Sequence, residues 1–277
     1  MKGLSYSIYS FFVAFTFSAF LLACNNSDDV PPTGTGEVTL EFDNVAGTKN
    51  LVLGSGTYQN AAGESFTVDI LNYFVSNIKL LRADGTHYTV PQDSSYFLIR
   101  EAERESQFVK LKNIPAGEYV GVEFVVGVDS LRSVSDISKR TGVLDPADAS
   151  HEGNSMYWSW NSGYIFLKME GTSPQAQTDA AGNRKFRYHI GGFGGYSAPT
   201  FNNIRTVRLQ FGSDKAQVSP GSSPEIHLLA DILKIFNGPT QISLATNPTV
   251  MVSPYSTTIA NNYLNMFSYD HMHVHND

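Results

Sequence analysis

The chain has 277 residues, 26 acidic against 19 basic side chains, a formal net charge of −7 and a single cysteine. An acidic chain without a Lys/Arg cluster is not built to neutralise phosphates, which excludes nucleic-acid binding as its principal role. One cysteine excludes an intramolecular disulfide framework and a cysteine-based zinc site.

Residues 1–23 read as a signal peptide: Lys2 near the start, then an apolar stretch from Phe11 to Ala23. That stretch is shorter than the roughly 20 residues a membrane-spanning helix needs. It ends Leu21-Leu22-Ala23-Cys24, small residues leading into the cysteine, which is the pattern of a bacterial lipobox. Cys24 is expected to carry the lipid and become the new N-terminus, which leaves no thiol nucleophile in the folded part. Residues 24–36 are polar and rich in Pro, Gly and Thr, a flexible tether with a reach of roughly 20 Å. Its Asp28-Asp29 pair resembles the surface-export signal of Bacteroidota lipoproteins. The expected location is the bacterial outer membrane or cell surface, with the periplasmic face left open.

From residue 37 strand signals dominate. Glu37–Asp43 alternates apolar and polar residues, as a half-buried strand does. Phe66–Leu81 reads as a long strand, and Ala83-Asp84-Gly85-Thr86 as a hairpin turn into His87–Val90. Phe108–Lys112 and Glu118–Val126 flank the turn Ile114–Gly117. Further strands are expected at Tyr164–Met169, Arg184–Ile190, Ile204–Phe211 and Glu225–Leu229. Helix is confined to short pieces near Asp129–Ser133, Asp231–Phe236 and Thr257–Met266. Many short strands punctuated by Gly, Pro and Asn predict an all-β, antiparallel sandwich or jelly-roll-like domain with few short helices. Without an internal linker or repeat, residues 37–277 form one domain. Two loops are long, Val134–Ser155 and Gly171–Asn183. The first leads into an aromatic segment and is the better functional prospect.

That segment, Met156-Tyr157-Trp158-Ser159-Trp160, holds both tryptophans of the chain. On a strand the two indoles share a face and Tyr157 takes the other. They serve either as core packing or as an aromatic surface for sugars or redox chemistry. His189 lies at a strand end followed by glycines, which let other backbone approach closely. His87 and His151 read as solvated. His227, between Ile226 and Leu228 in a strand, reads as pointing to solvent or to a satisfied core position. The end of the chain, Asp270–Asp277, carries His271, His273 and His275, which point to one side if extended, with Met272 as a soft donor for copper(I). A solvated tail and a metal site both fit that pattern. Neither a Gly-x-Ser-x-Gly elbow nor a P-loop occurs, so no enzyme constellation emerges. Asp145 and Asp148 make calcium in the acidic loop conceivable.

Four blocks in order carry a resemblance: Gly127–Ser130, Leu144–Pro146, Met156–Gly171 and Tyr188–Gly192. They resemble the MbnP-like copper-binding family, which includes methanobactin-associated periplasmic proteins and a surface copper protein of methanotrophs. The resemblance implies a mostly β, non-enzymatic, extracytoplasmic protein that binds copper. It also implies that a tryptophan is oxidised to kynurenine by a partner resembling diheme cytochrome c peroxidases. On this chain Trp158 or Trp160 would be that indole, flanked by Met156 and Tyr157. His189 would be one imidazole ligand, and the tail offers His271 and His273 for the second. The alternative function is a lipoprotein that binds a glycan or other extracellular ligand through Trp158 and Trp160.

Overall fold

The computed structural model describes residues 33–147, 155–161 and 163–276, with side chains to residue 273. The expectations for Cys24, Asp148 and His151 lie outside these residues, as does the side chain of His275.

Ten longer strands build the domain: β1 Thr35–Ala46, β2 Ser65–Leu81, β3 Tyr96–Arg100, β4 Phe108–Pro115, β5 Gly121–Val126, β6 Gly163–Thr172, β7 Lys185–Gly191, β8 Arg205–Gln210, β9 Ser222–Asp231 and β10 Phe267–Asn276. In the smaller sheet β10 pairs with β9, β9 with β1, and β1 with β4. The larger sheet runs β8-β5-β2-β6-β7, and β3 also pairs with β2. β2 is long enough to serve several partners: Thr67–Tyr73 meets β6, Asn72–Ser76 meets β3, and Val75–Leu81 meets β5. The ladder to β5 breaks between Ser76 and Lys79, where Asn77 takes a left-handed backbone with φ of 52°. A break of this kind bends a strand, so the sheet curls.

The sandwich expectation holds. Its core follows from period-two alternation: Val38, Leu40 and Phe42 of β1 and Ile226, Leu228 and Ala230 of β9 face Tyr73 and Val75 of β2 and Val122, Phe124 and Val126 of β5. Phe42 makes edge-on contacts with Tyr73, Phe124 and Phe267, tying the sheets together.

One expectation needs correction: the pairing is not wholly antiparallel. β1 and β9 run parallel, with Leu40 beside Ile226 and Glu41 beside His227. A parallel pair needs a long crossover, and here most of the domain lies between the two strands. The three short helices occur as Ser130–Ser133, Leu233–Phe236 and Pro254–Tyr263. The last starts with Pro254 in its first turn, where the missing N–H costs nothing.

Candidate functional sites

Two groups of chemistry-bearing side chains stand on the two outer faces of the sandwich. The first surrounds the aromatic segment. Tyr157–Trp158 is a two-residue strand paired to the start of β6, with Tyr157 opposite Tyr164 and Trp158 opposite Gly163. The turn beyond it is pinned from outside: Asn161 Oδ1 accepts the N–H groups of Tyr196 and Ser197, and its Nδ2 donates to Ala198 O at 2.9 Å. Met156 is buried beside Phe74, Leu144 and Tyr164. Tyr157 and Tyr196 share the Arg140 guanidinium, which donates to each hydroxyl at 3.1 Å. Burial, reinforced by the Tyr157 hydroxyl, pushes the Tyr196 phenol up to about 12, so it stays neutral.

The indoles are not sealed in the core. Trp158 and Trp160 lie 5.1 Å apart between ring centroids with planes tilted by 31°, and Trp160 is 48% exposed. Trp158, half-buried, covers Gly191 of β7: a Cβ on that glycine would stand 2.9 Å from the indole and 2.4 Å from Tyr164 O. Gly191 and His189 are two positions apart on one strand and share its outward face, while Tyr188 and Ile190 face the core. His189 Nε2 lies 2.7 Å from Glu170 Oε1, and Lys168 Nζ lies 3.6 Å from the same oxygen. The hydrogen bond from His189 holds the Glu170 carboxyl below its ordinary value against the effect of burial. Burial lowers the Lys168 ammonium, with Glu170 acting in the opposite sense. Glu170 is thus the carboxylate that orients His189, and the sequence analysis did not single it out. It stands opposite Arg187 in the β6–β7 ladder, diagonal to His189, and only the register reveals that neighbour.

The second group lies on the smaller sheet. His227 of β9 stands opposite His271 of β10, and Glu225 opposite His273. His227 Nδ1 is 2.9 Å from Glu41 Oε2, and His227 Nε2 is 3.3 Å from Glu225 Oε1. His271 Nε2 is 3.0 Å from His273 Nε2, and its Nδ1 is 2.8 Å from Asp270 Oδ2. Donor atoms of His227, His271 and His273 all fall within 4.8 Å of one another, as do those of Glu41, Glu225 and His227.

His271 and His273 are therefore brought together, while His189 is in the other sheet and on the opposite face. The three do not converge on one centre, because the β9–β1 and β6–β7 ladders turn these side chains away from the shared core in opposite directions. His227, expected to be solvated or satisfied, is drawn into the histidine group. Met272 is not beside the imidazoles: it pairs with Ile226 and packs against the core. Asp145 accepts the N–H of Ala147, as a turn-capping carboxylate does.

The family model described as MbnP matches residues 35–252, well over half of the chain. Among solved structures, MbnP from Methylosinus trichosporium matches with a TM-score of 0.52 at 18% sequence identity, covering 79% of this chain and 82% of that one. At that identity the likeness speaks for the fold. No curated protein matches the sequence.

Proposed function

Because the chain belongs to the MbnP family, we propose that it is an extracytoplasmic, lipid-anchored copper-binding protein whose Trp158 is the indole oxidised by a diheme peroxidase-like partner. Cys24 carries the anchor, and the protein does its work at the bacterial outer membrane or cell surface. The observation that carries the reading is the placement of Trp158 over Gly191, two positions along the strand from His189 and on the same face.

The chemistry fits those residues. An indole nitrogen is a poor donor because its lone pair belongs to the ring. Oxidative cleavage of the pyrrole C2–C3 bond by the partner adds two oxygen atoms, drawn from dioxygen or two equivalents of peroxide. Hydrolysis then releases the formyl group as formate, which leaves an aniline-type nitrogen with a free lone pair. Glu170 engages Nε2 of His189, which leaves Nδ1 to coordinate. A carboxylate on the far nitrogen is the usual support of a ligating imidazole. Neutral nitrogen donors suit copper. Trp158 is preferred to Trp160 because it is the indole in contact with β7, whereas Trp160 lies against it at a tilt and offers the partner an exposed entry point.

Co-expression with the partner tests this. Peptide mass spectrometry is expected to find the added mass on Trp158, with copper retained through purification and lost in His189→Ala. A chain that stays unmodified and copper-free with the partner present would sink the reading. The exposed Trp160 also keeps the glycan alternative alive. That alternative expects oligosaccharides to quench tryptophan emission in the unmodified protein, and no quenching across a broad panel would remove it.

A further inference from the structure

We propose that His227, His271 and His273 form a second metal site, for a divalent late first-row ion such as zinc or copper(II), on the face opposite Trp158 and His189. His271 and His273 lie beyond the residues that match the family, so family membership does not imply this site.

The donors are prearranged. His271 Nδ1–H donates to Asp270, and His227 sits between two carboxylates, its Nδ1 2.9 Å from Glu41 Oε2 and its Nε2 3.3 Å from Glu225 Oε1. The Asp270 carboxylate fixes the His271 tautomer and leaves its Nε2 lone pair for an ion, while the two carboxylates around His227 place negative charge beside the group. Glu41 is itself held, its other oxygen 3.1 Å from Arg104 Nη2. The Nε2 atoms of His271 and His273, 3.0 Å apart, cannot both carry a proton on the line between them. That spacing is close to the roughly 3.3 Å separating nitrogens around a tetrahedral ion with bonds of about 2.0–2.1 Å. A donor atom of His227 lies within 4.8 Å of those of both His271 and His273, and Glu225, opposite His273 and 3.3 Å from His227 Nε2, offers a carboxylate as fourth donor.

A strand defect makes the arrangement possible. Strict alternation would put Tyr269 and His271 on one face of β10. The register shifts between His227 and Leu228, so Asp270 is an extra residue on β10. Tyr269 then faces inward against Phe211, while His271 faces outward beside His227. The same register turns Met272 against the core. The site thus lacks a thioether, and imidazole with carboxylate selects the divalent ion over copper(I).

The test is calorimetric titration of the full chain, stripped by chelation, with zinc and then with copper(II). Each titration is repeated in a W158F/H189A background, so failure of the copper reading above leaves this one measurable. The expected result is saturable binding in both backgrounds, weakened at least tenfold by His227→Gln and by His273→Ala. Cobalt(II) is expected to give the intense visible bands of a tetrahedral site. Undiminished affinity in His227→Gln would mean that the tail alone holds the ion and would overturn the proposal, as would a chain that takes up neither zinc nor copper(II). If His227→Gln does not fold, the exposed position His273 decides: unchanged affinity in His273→Ala overturns the site.

Discussion

The imidazoles of His227 and His271 stack across two neighbouring strands, with ring centroids 4.2 Å apart and planes 24° from parallel. One ring comes from the interior of β9 and the other from the last strand of the chain, and the extra residue Asp270 sets the register that joins them. An ion held there would fasten β10 to the sheet. Saturating zinc is therefore expected to raise the melting temperature, by the equivalent of about 2.7 kcal/mol at a hundredfold excess over Kd. Thermal melts with and without zinc check this, and His273→Ala should abolish the difference.

Gly191 is the point where Trp158 rests on β7. In Gly191→Ala the new methyl meets both the indole and Tyr164 O. Lifting the indole relieves only one of these contacts, so the β6 and β7 backbones must also separate at Tyr164. The expected cost is about 1–3 kcal/mol, typical of overpacking. Chemical denaturation measures it, together with a red shift of tryptophan emission as Trp158 becomes more solvated.

The two tryptophans should behave differently with the partner present. Trp158→Phe is expected to remove both the oxidative mass gain and the retained copper. Trp160→Phe should keep the modification on Trp158 while slowing its appearance, since Trp160 is the more exposed ring of the pair. Time-resolved peptide mass spectrometry separates the two. Modification persisting in Trp158→Phe would move the site to Trp160.

Glu170→Gln keeps the shape of the group beside His189 but removes its charge. Loss of the supporting carboxylate is expected to weaken copper binding 10–100-fold, the usual effect of such partners. Competition against a calibrated chelator reads the change. Zinc binding at His227, His271 and His273 should be unaffected, because that group lies on the other face of the sandwich.

Glu64 is a structural carboxylate, 6% exposed. Burial favours its neutral form, but hydrogen bonds from Asn60, Ser243 and the N–H groups of Ala245 and Leu244 outweigh that and hold its pKa below the ordinary value. A carboxyl depressed in the folded state adds stability that is fully present above its unfolded value, near 4.5, and is lost as pH falls through the folded value. Glu64→Gln is therefore expected to cost about 2 kcal/mol near neutrality, as lost hydrogen bonds to a charged group do. The gap to wild type should close in acid, as urea denaturation between pH 7 and pH 3 would show. A gap that stays constant with pH would mean that the charge is not what matters.

Local pattern alone determined much of this protein. Alternation placed β1, the long β2 and β9, and Gly, Pro and Asn marked the turns between them, because a half-buried strand must repeat every two residues. The aromatic segment and His189 were legible as unusual residues in extended chain. Local pattern did not reveal that β1 and β9 run parallel, since pairing partners so far apart in sequence leave no short-range trace. Nor did it reveal that Glu170 supports His189, or that His227 joins the terminal histidines. Each of those neighbours is fixed by register across a ladder, and a single extra residue at Asp270 decides which side of the strand His271 occupies. Side-chain type is written residue by residue, but convergence of donor atoms is a property of strand pairing, and only the folded sheets supply it.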